Sequence, residues 1–311
     1  MLSCVTRPVP VPAAGQVLIR VRWAGVNPHD CNQRRRGAGP AGETDILGLE
    51  VGGEIVAVGE GVVPERVGER VCALVPGGGY AEFCVADAAL ALSLPGNIDA
   101  RTGAALPEAG FTAWFNLVEL GRLAAGEILL VHGGTGNVGV AAIAIAGLLG
   151  ARVIALAGDA ERMRISCELG AEAAINYRTE DVVPRVLALT GGRGADVILD
   201  TTAKYPRQNL ECLAPDGRIL HLSSAAEEFC PPLRLIMQKR ATLTGALMRP
   251  LPMARKQAVA RALRERVWPH LGGTYRPLIG PAFALRDAAS VHALAESGAA
   301  IGKILLNCDE T

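Results

Sequence analysis

Three glycines pose the first chemical question. Gly134-Thr135-Gly136-Asn137-Val138-Gly139 has the spacing G-x-G-x-x-G, in which three missing side chains serve three purposes. Gly134 is expected to allow a tight turn, Gly136 to let the backbone approach a pyrophosphate, and Gly139 to let a helix pack closely on a strand. Asn137 and Val138 would then open that helix, with N–H groups turned toward phosphate oxygens. The pattern is weak alone and gains force from its surroundings. EILLVHGG (127–134) is a short apolar run, GNVGVAAIAIAGLLG (136–150) is helical, and ARVIALA (151–157) is a strand again. That strand–turn–helix–strand frame is the one a dinucleotide requires.

The next candidates follow the glycines at about 20 positions, where an acidic residue can hold the ribose hydroxyls of NAD. Asp159 stands there. Ala157 and Gly158 are small enough to admit a 2′-phosphate, and Arg162 in the next helical turn could pair with it, which would mean NADP. Both readings stay open on these residues, with the small strand end favouring NADP.

Other reactive side chains are scattered. The eight cysteines include no C-x-x-C pair, so neither a disulfide scaffold nor a structural zinc site is indicated. Cys31 beside His29 and Asp30 lacks a second ligand group at metal spacing. No metal is expected, and the thiols read as reduced. Arg34-Arg35-Arg36 reads as a solvated face.

Composition bounds the class. With 31 Lys+Arg against 31 Asp+Glu, the 311-residue chain has no formal net charge. A basic excess toward nucleic acid or an anionic membrane is therefore missing. Aromatics at 4% leave few stacking platforms for single strands. Half the residues are apolar and mean hydropathy is +0.27, enough for a substantial core. Residues 1–12 show no signal peptide. The apolar window 140–158 is divided by Gly150 and Arg152 into helix and strand rather than a membrane span. These features together suit a cytoplasmic location.

The elements that position the candidates change character along the chain. Residues 15–95 read as β: in 15–26, Val17, Ile19, Val21 and Trp23 alternate with polar residues, and glycine-split apolar runs at 50–62 and 68–86 suit a small bent barrel. From about residue 110 strands and helices alternate, with strands at 195–202, 217–224 and 241–247. Near-continuous apolar strands separated by helices predict a doubly wound parallel sheet covered on both faces. Residues 277–307 return to strand, helix, strand, expected to fold back on the first domain.

The ordered motifs Asn27-Pro28-x-Asp30, Asp45-Ile-Leu-Gly-Leu-Glu50, Ala73-Leu-Val-Pro-Gly-Gly-Gly-Tyr-Ala-Glu82, Leu106-Pro-Glu-Ala-x-x-Thr112, Ile175-Asn-Tyr177 and Ile301-Gly-Lys303-Ile carry a resemblance. From about Gly15 to the C-terminus the chain resembles the zinc-independent quinone oxidoreductases of the medium-chain dehydrogenase/reductase superfamily. The p53-inducible quinone oxidoreductase group is the nearest likeness. The resemblance implies an α/β protein: a GroES-like β-barrel catalytic domain (1–109), a Rossmann domain (110–248) and a return to the catalytic domain (249–311). It implies NADPH in the cleft between the domains, and a homodimer through the edge of the Rossmann sheet. The reaction it implies is hydride transfer from nicotinamide to a quinone. Reduction of an enone or enal double bond on the same scaffold, or a non-catalytic nucleotide-binding or crystallin-like role, are the alternatives.

By position, Arg162 and Tyr177 match residues that hold the adenosine 2′-phosphate, while Thr112 and Asn27 match positions near the nicotinamide. Asn27 is the candidate catalytic amide, with capping of the local turn as its other reading. Thr202, Ser223, Leu247 and Lys303 fall in segments that line the cofactor. Leu49 stands where zinc-dependent relatives place a histidine ligand. The chain also departs from the pattern. A strand before Val9-Pro10 is missing, which should leave an unpaired barrel edge. Gly37–Thr44 lacks a Tyr that reaches the nicotinamide, and Asn137 replaces a glycine. Thr201-Thr202-Ala203-Lys204 replaces a glycine pair, and Asp159 replaces a Ser or Thr and should repel a phosphate. Each change should weaken a cofactor contact.

Overall fold

The structure, a computed structural model, describes residues 2–37, 44–223 and 229–309. It divides into two compact units, one of Met1–Phe111, Pro252–Gly273 and Pro277–Thr311, the other of Thr112–Leu251 with Thr274–Arg276.

The first unit is built on β1 (Gln16–Gly25), β2 (Glu50–Val58), β3 (Arg70–Leu74), β4 (Phe83–Asp87) and β5 (Ala91–Ser93). The C-terminal part of the chain adds β12 (Ile279–Ala284) and β13 (Lys303–Asn307) to the same sheet, in the order β12-β13-β1-β2-β3-β5. Alternation in β1 turns Val17, Ile19 and Val21 into a core shared with Val51, Ile55, Val71 and Leu306. Burying such aliphatic side chains contributes about 1.5–3 kcal/mol each. The open barrel edge expected from the sequence does not occur at β1. This strand pairs with β2 along one side, and its register shifts at Leu18/Ile19 and Val21/Trp23. Bulges of this kind bend a strand. The other side of β1 accordingly pairs with β4 over Gln16–Arg20 and with β13 over Trp23–Gly25.

The second unit holds β6 (Ile128–His132), β7 (Arg152–Ala157), β8 (Ala173–Asn176), β9 (Ala195–Asp200), β10 (Leu213–His221) and β11 (Thr242–Gly245). They form one parallel sheet in the order β11-β10-β9-β6-β7-β8. The chain starts at the centre, winds out to β8, returns beside β6 and winds out to β11. The switch point therefore lies between β6 and β9, where open α/β sheets bind ligands beyond their carboxyl ends. Every residue of β6 and β9 is buried, which explains why both are apolar except for His132, Asp196 and Asp200. The window 140–158 divides as expected, into the helix Asn137–Leu148 and β7. Among the described residues no helix is long and apolar enough to cross a membrane.

Candidate dinucleotide site and a buried polar cluster

The glycine turn joins the end of β6 to the helix Asn137–Leu148, whose N-cap is Gly136. The left-handed residue is Gly133, at φ +71°, and not Gly134. Gly134 is required by packing: a Cβ there would stand 2.5 Å from Ser166 Oγ and 2.8 Å from the Ala155 methyl. Gly139 closes the turn, since its Cβ would lie 2.2 Å from the Gly133 carbonyl oxygen. Gly136 is exposed and meets only that oxygen, at 3.3 Å, so its outer side is open. Val140 N–H makes the first helical bond, to the Gly136 carbonyl at 2.9 Å. The N–H groups of Asn137, Val138 and Gly139 have no backbone acceptor among the described residues, as at any helix start. This glycine-rich cradle, open on the side of Gly136, fits a pyrophosphate.

At the ends of β7 and β8, Gly158, Asp159, Arg162 and Tyr177 converge. Asp159 is the N-cap of the helix Ala160–Glu168: its Oδ1 accepts from Arg162 N–H at 2.8 Å. Its Oδ2 pairs with the Arg162 guanidinium at 2.6 Å. These bonds from Arg162, backbone first, hold the Asp159 carboxyl below its usual range. Gly158 is hemmed in by Tyr177 and Arg178: a Cβ there would be 2.8 Å from the phenol oxygen and 3.3 Å from Arg178 Nε. Arg178 was not among the sequence candidates.

Beyond β9 the chain turns at Asp200, earlier than the alternation suggested. Its Oδ1 accepts from Thr202 N–H at 2.8 Å, Thr202 Oγ1 at 3.0 Å and Ala203 N–H at 3.0 Å. Its Oδ2 accepts from Asn209 Nδ2 at 2.9 Å. The imidazoles of His132 and His221 face the same carboxylate at 3.5 and 3.3 Å. Burial by itself would raise the Asp200 pKa, but these neighbours hold it well below the carboxylate range. The carboxylate imposes φ +57° on Ala203, a left-handed residue where relatives were expected to carry glycine. Ser223 and the exposed Leu247 follow β10 and β11. Thr112 is buried in the helix Pro107–Trp114, its carbonyl accepting from Asn116 Nδ2 at 2.9 Å.

Asn27 and Lys303 belong to the first unit. Lys303 Nζ donates to Asn27 Oδ1 at 2.6 Å and pairs with Glu50, and all three residues are buried. Asn27 Nδ2 donates to Glu50 Oε1 at 2.9 Å and to the Gly25 carbonyl at 3.4 Å. The second Glu50 oxygen accepts from Glu108 N–H at 2.9 Å. The Asn27 amide is thus woven into an ion pair, while its backbone N–H bonds Asp30 Oδ2 at 2.8 Å. Tyr80 bridges Asp30 Oδ2 at 3.3 Å and His292 Nε2 at 3.2 Å. Burial pushes Asp30 up to about 6, against the N–H groups of Asn27 and Gly48 and the Lys303 charge. Burial, aided by Arg34, pushes His292 down to about 4.

Leu49 is buried, and among the described residues no group of His, Cys, Asp or Glu could hold a metal ion. The missing Tyr of Gly37–Thr44 concerns residues 38–43, which lie outside the described residues.

Comparison with known proteins finds two families along the chain. Residues 13–96 match the alcohol dehydrogenase GroES-like domain family and residues 137–264 the zinc-binding dehydrogenase family. Quinone oxidoreductase of Sus scrofa is 34% identical over 305 residues, which cover 96% of this chain and 91% of that protein. Among solved structures, an NAD-dependent alcohol dehydrogenase superposes with a TM-score of 0.83 at 30% identity, covering 97% of this chain and 94% of the other. The quinone oxidoreductase from Thermus thermophilus, also solved in complex with NADPH, gives 0.82 at 28% identity, with coverages of 97% and 95%.

Proposed function

Since the chain belongs to the medium-chain dehydrogenase/reductase superfamily, we propose that this oxidoreductase uses NADPH to reduce a quinone. The observation that carries the reading is the open glycine cradle at the sheet's switch point, with cationic and aromatic side chains at the ends of β7 and β8. The residues of the turn from Gly133 to Gly139 would hold the pyrophosphate, and Gly158, Tyr177 and the neighbouring arginines the adenosine ribose and its 2′-phosphate. Thr112, Thr202, Ser223 and Leu247 are assigned to the remainder of the cofactor. When bound, reduced nicotinamide supplies a hydride; the protein's part is to bind, orient and exclude water.

No protein acid is needed, because a reduced quinone takes its proton from solvent. Asn27 retains an orienting role in a narrower form. Its N–H bonds are committed to Glu50 and Gly25, so it offers only a carbonyl lone pair and cannot polarise a quinone oxygen. Lys303 acts by holding that amide.

The reading includes a homodimer through the free edge of β11, which pairs only with β10 among the described residues. It also includes a reducing, cytoplasmic setting, in keeping with eight unpaired cysteines. The test is product analysis with NADPH and a panel of ortho- and para-quinones beside an enone. One hydroquinone per NADPH consumed supports the proposal. A saturated ketone from the enone, with the quinones untouched, replaces it by double-bond reduction.

A further inference from the structure

The strand ends that would receive the adenosine ribose hold two arginines in opposite electrostatic states. Arg162 is the one whose spacing suggests a phosphate ligand, yet its guanidinium already pairs with Asp159 at 2.6 Å. To take a phosphate it must give up one anion for another, and it would leave Asp159 bare beside the new charge. Such an exchange yields little net attraction. The pair together is neutral.

Arg178 has no such bond to give up. It is exposed, and its guanidinium has no carboxylate partner in contact among the described residues. Asp159 feels its charge, but less than that of Arg162. The guanidinium carbon lies 5.9 Å from the centroid of the Tyr177 ring, a cation–π contact that orients the planar fork. Its backbone N–H bonds Asn176 Oδ1 at 3.0 Å, fixing the start of the turn after β8. Arg178 Nε and the Tyr177 hydroxyl both crowd the space above Gly158, so the free cation sits at the small strand end. A guanidinium presents paired N–H donors that match a phosphate, and does so better than a point charge.

We propose that Arg178, stacked on Tyr177 over Gly158, recognises the adenosine 2′-phosphate and sets the preference for NADPH over NADH, while Arg162 serves to neutralise Asp159. This inference rests on the NADPH reading above. It reassigns the phosphate contact from the residue that spacing singles out to one that spacing passes over.

Equilibrium binding of NADPH and NADH to the whole protein, followed by calorimetry, tests it without any turnover. Arg178→Ala is expected to weaken NADPH at least tenfold and leave NADH within twofold, with Arg178→Lys in between. Removing the neutral pair together, Asp159→Ser with Arg162→Ala, should weaken NADPH by less than Arg178→Ala does. The same ranking should hold for 2′,5′-ADP against 5′-ADP, which isolates the phosphate from the nicotinamide. If the unaltered protein prefers NADPH but Arg178→Ala keeps that preference, or Asp159→Ser with Arg162→Ala costs more, the inference is overturned and the NADPH reading stands. If the unaltered protein binds NADH as tightly as NADPH, or neither, the reading itself falls and takes the inference with it.

Discussion

Single residues here are decided by what they are paired with. Lys303 and Glu50 are a buried ion pair with Asn27 between them. Removing one partner of such a pair strands the other charge at a cost of about 3–5 kcal/mol. Lys303→Met should therefore lower stability by that amount in urea unfolding, and adding Glu50→Gln should recover most of it. Asp30 and His292, on either side of Tyr80, make an acid–base comparison. Asp30 has a folded pKa raised to about 6, so its contribution falls as pH rises from its ordinary value to 6. His292 has a folded pKa lowered to about 4, so its contribution falls as pH drops from its ordinary value to 4. Between pH 4 and 6 the two slopes oppose. Each amounts to at most about 1.4 kcal/mol per pH unit. Melting experiments should show Asp30→Asn growing more stable from pH 4 to 6 and His292→Gln growing less stable, with the unaltered protein flatter than both. None of this was legible in the sequence, since Asn27 and Lys303 are 276 residues apart. The Asp159–Arg162 pair, by contrast, is a spacing of three on one helix turn and could have been read.

At the scale of elements the sequence was more informative. β6, the glycine turn, its helix and β7 were legible because a long local pattern specifies them. Their strand ends were less so: β9 stops at Asp200 because its carboxylate captures the N–H groups of Thr202 and Ala203, a competition with the ladder that alternation does not register. The roles within the glycine motif also shifted, because the sign of φ at Gly133 and Gly134 is a tertiary outcome. The geometry separates two variants. Gly139→Ala drives a methyl into the Gly133 carbonyl and should lose both stability and dinucleotide binding. Gly136→Ala meets little within the protein, so its melting temperature should stay close to that of the parent while NADPH and NADH binding weaken together. A fall in stability equal to that of Gly139→Ala would mean that the Gly136 side of the turn is not open.

The whole molecule combines a bent, mostly antiparallel sheet, in which only β12 and β13 pair in parallel among the described residues, with a doubly wound parallel one, and the pattern of elements changes from one to the other near residue 110. The barrel unit takes strands from both ends of the chain, an arrangement that the terminal strand–helix–strand pattern suggested but could not register strand by strand. If β11 joins two sheets, sedimentation should give twice the 32.4 kDa of one chain, and a 32.4 kDa species at working concentration would remove the dimer. The central claim is a cofactor choice coupled to quinone reduction. It is tested most directly by initial rates of quinone-dependent NADPH and NADH oxidation, run in parallel on one preparation. The account predicts kcat/KM for NADPH at least tenfold above that for NADH. Equal values, a preference for NADH, or no oxidation of either by folded protein would contradict it.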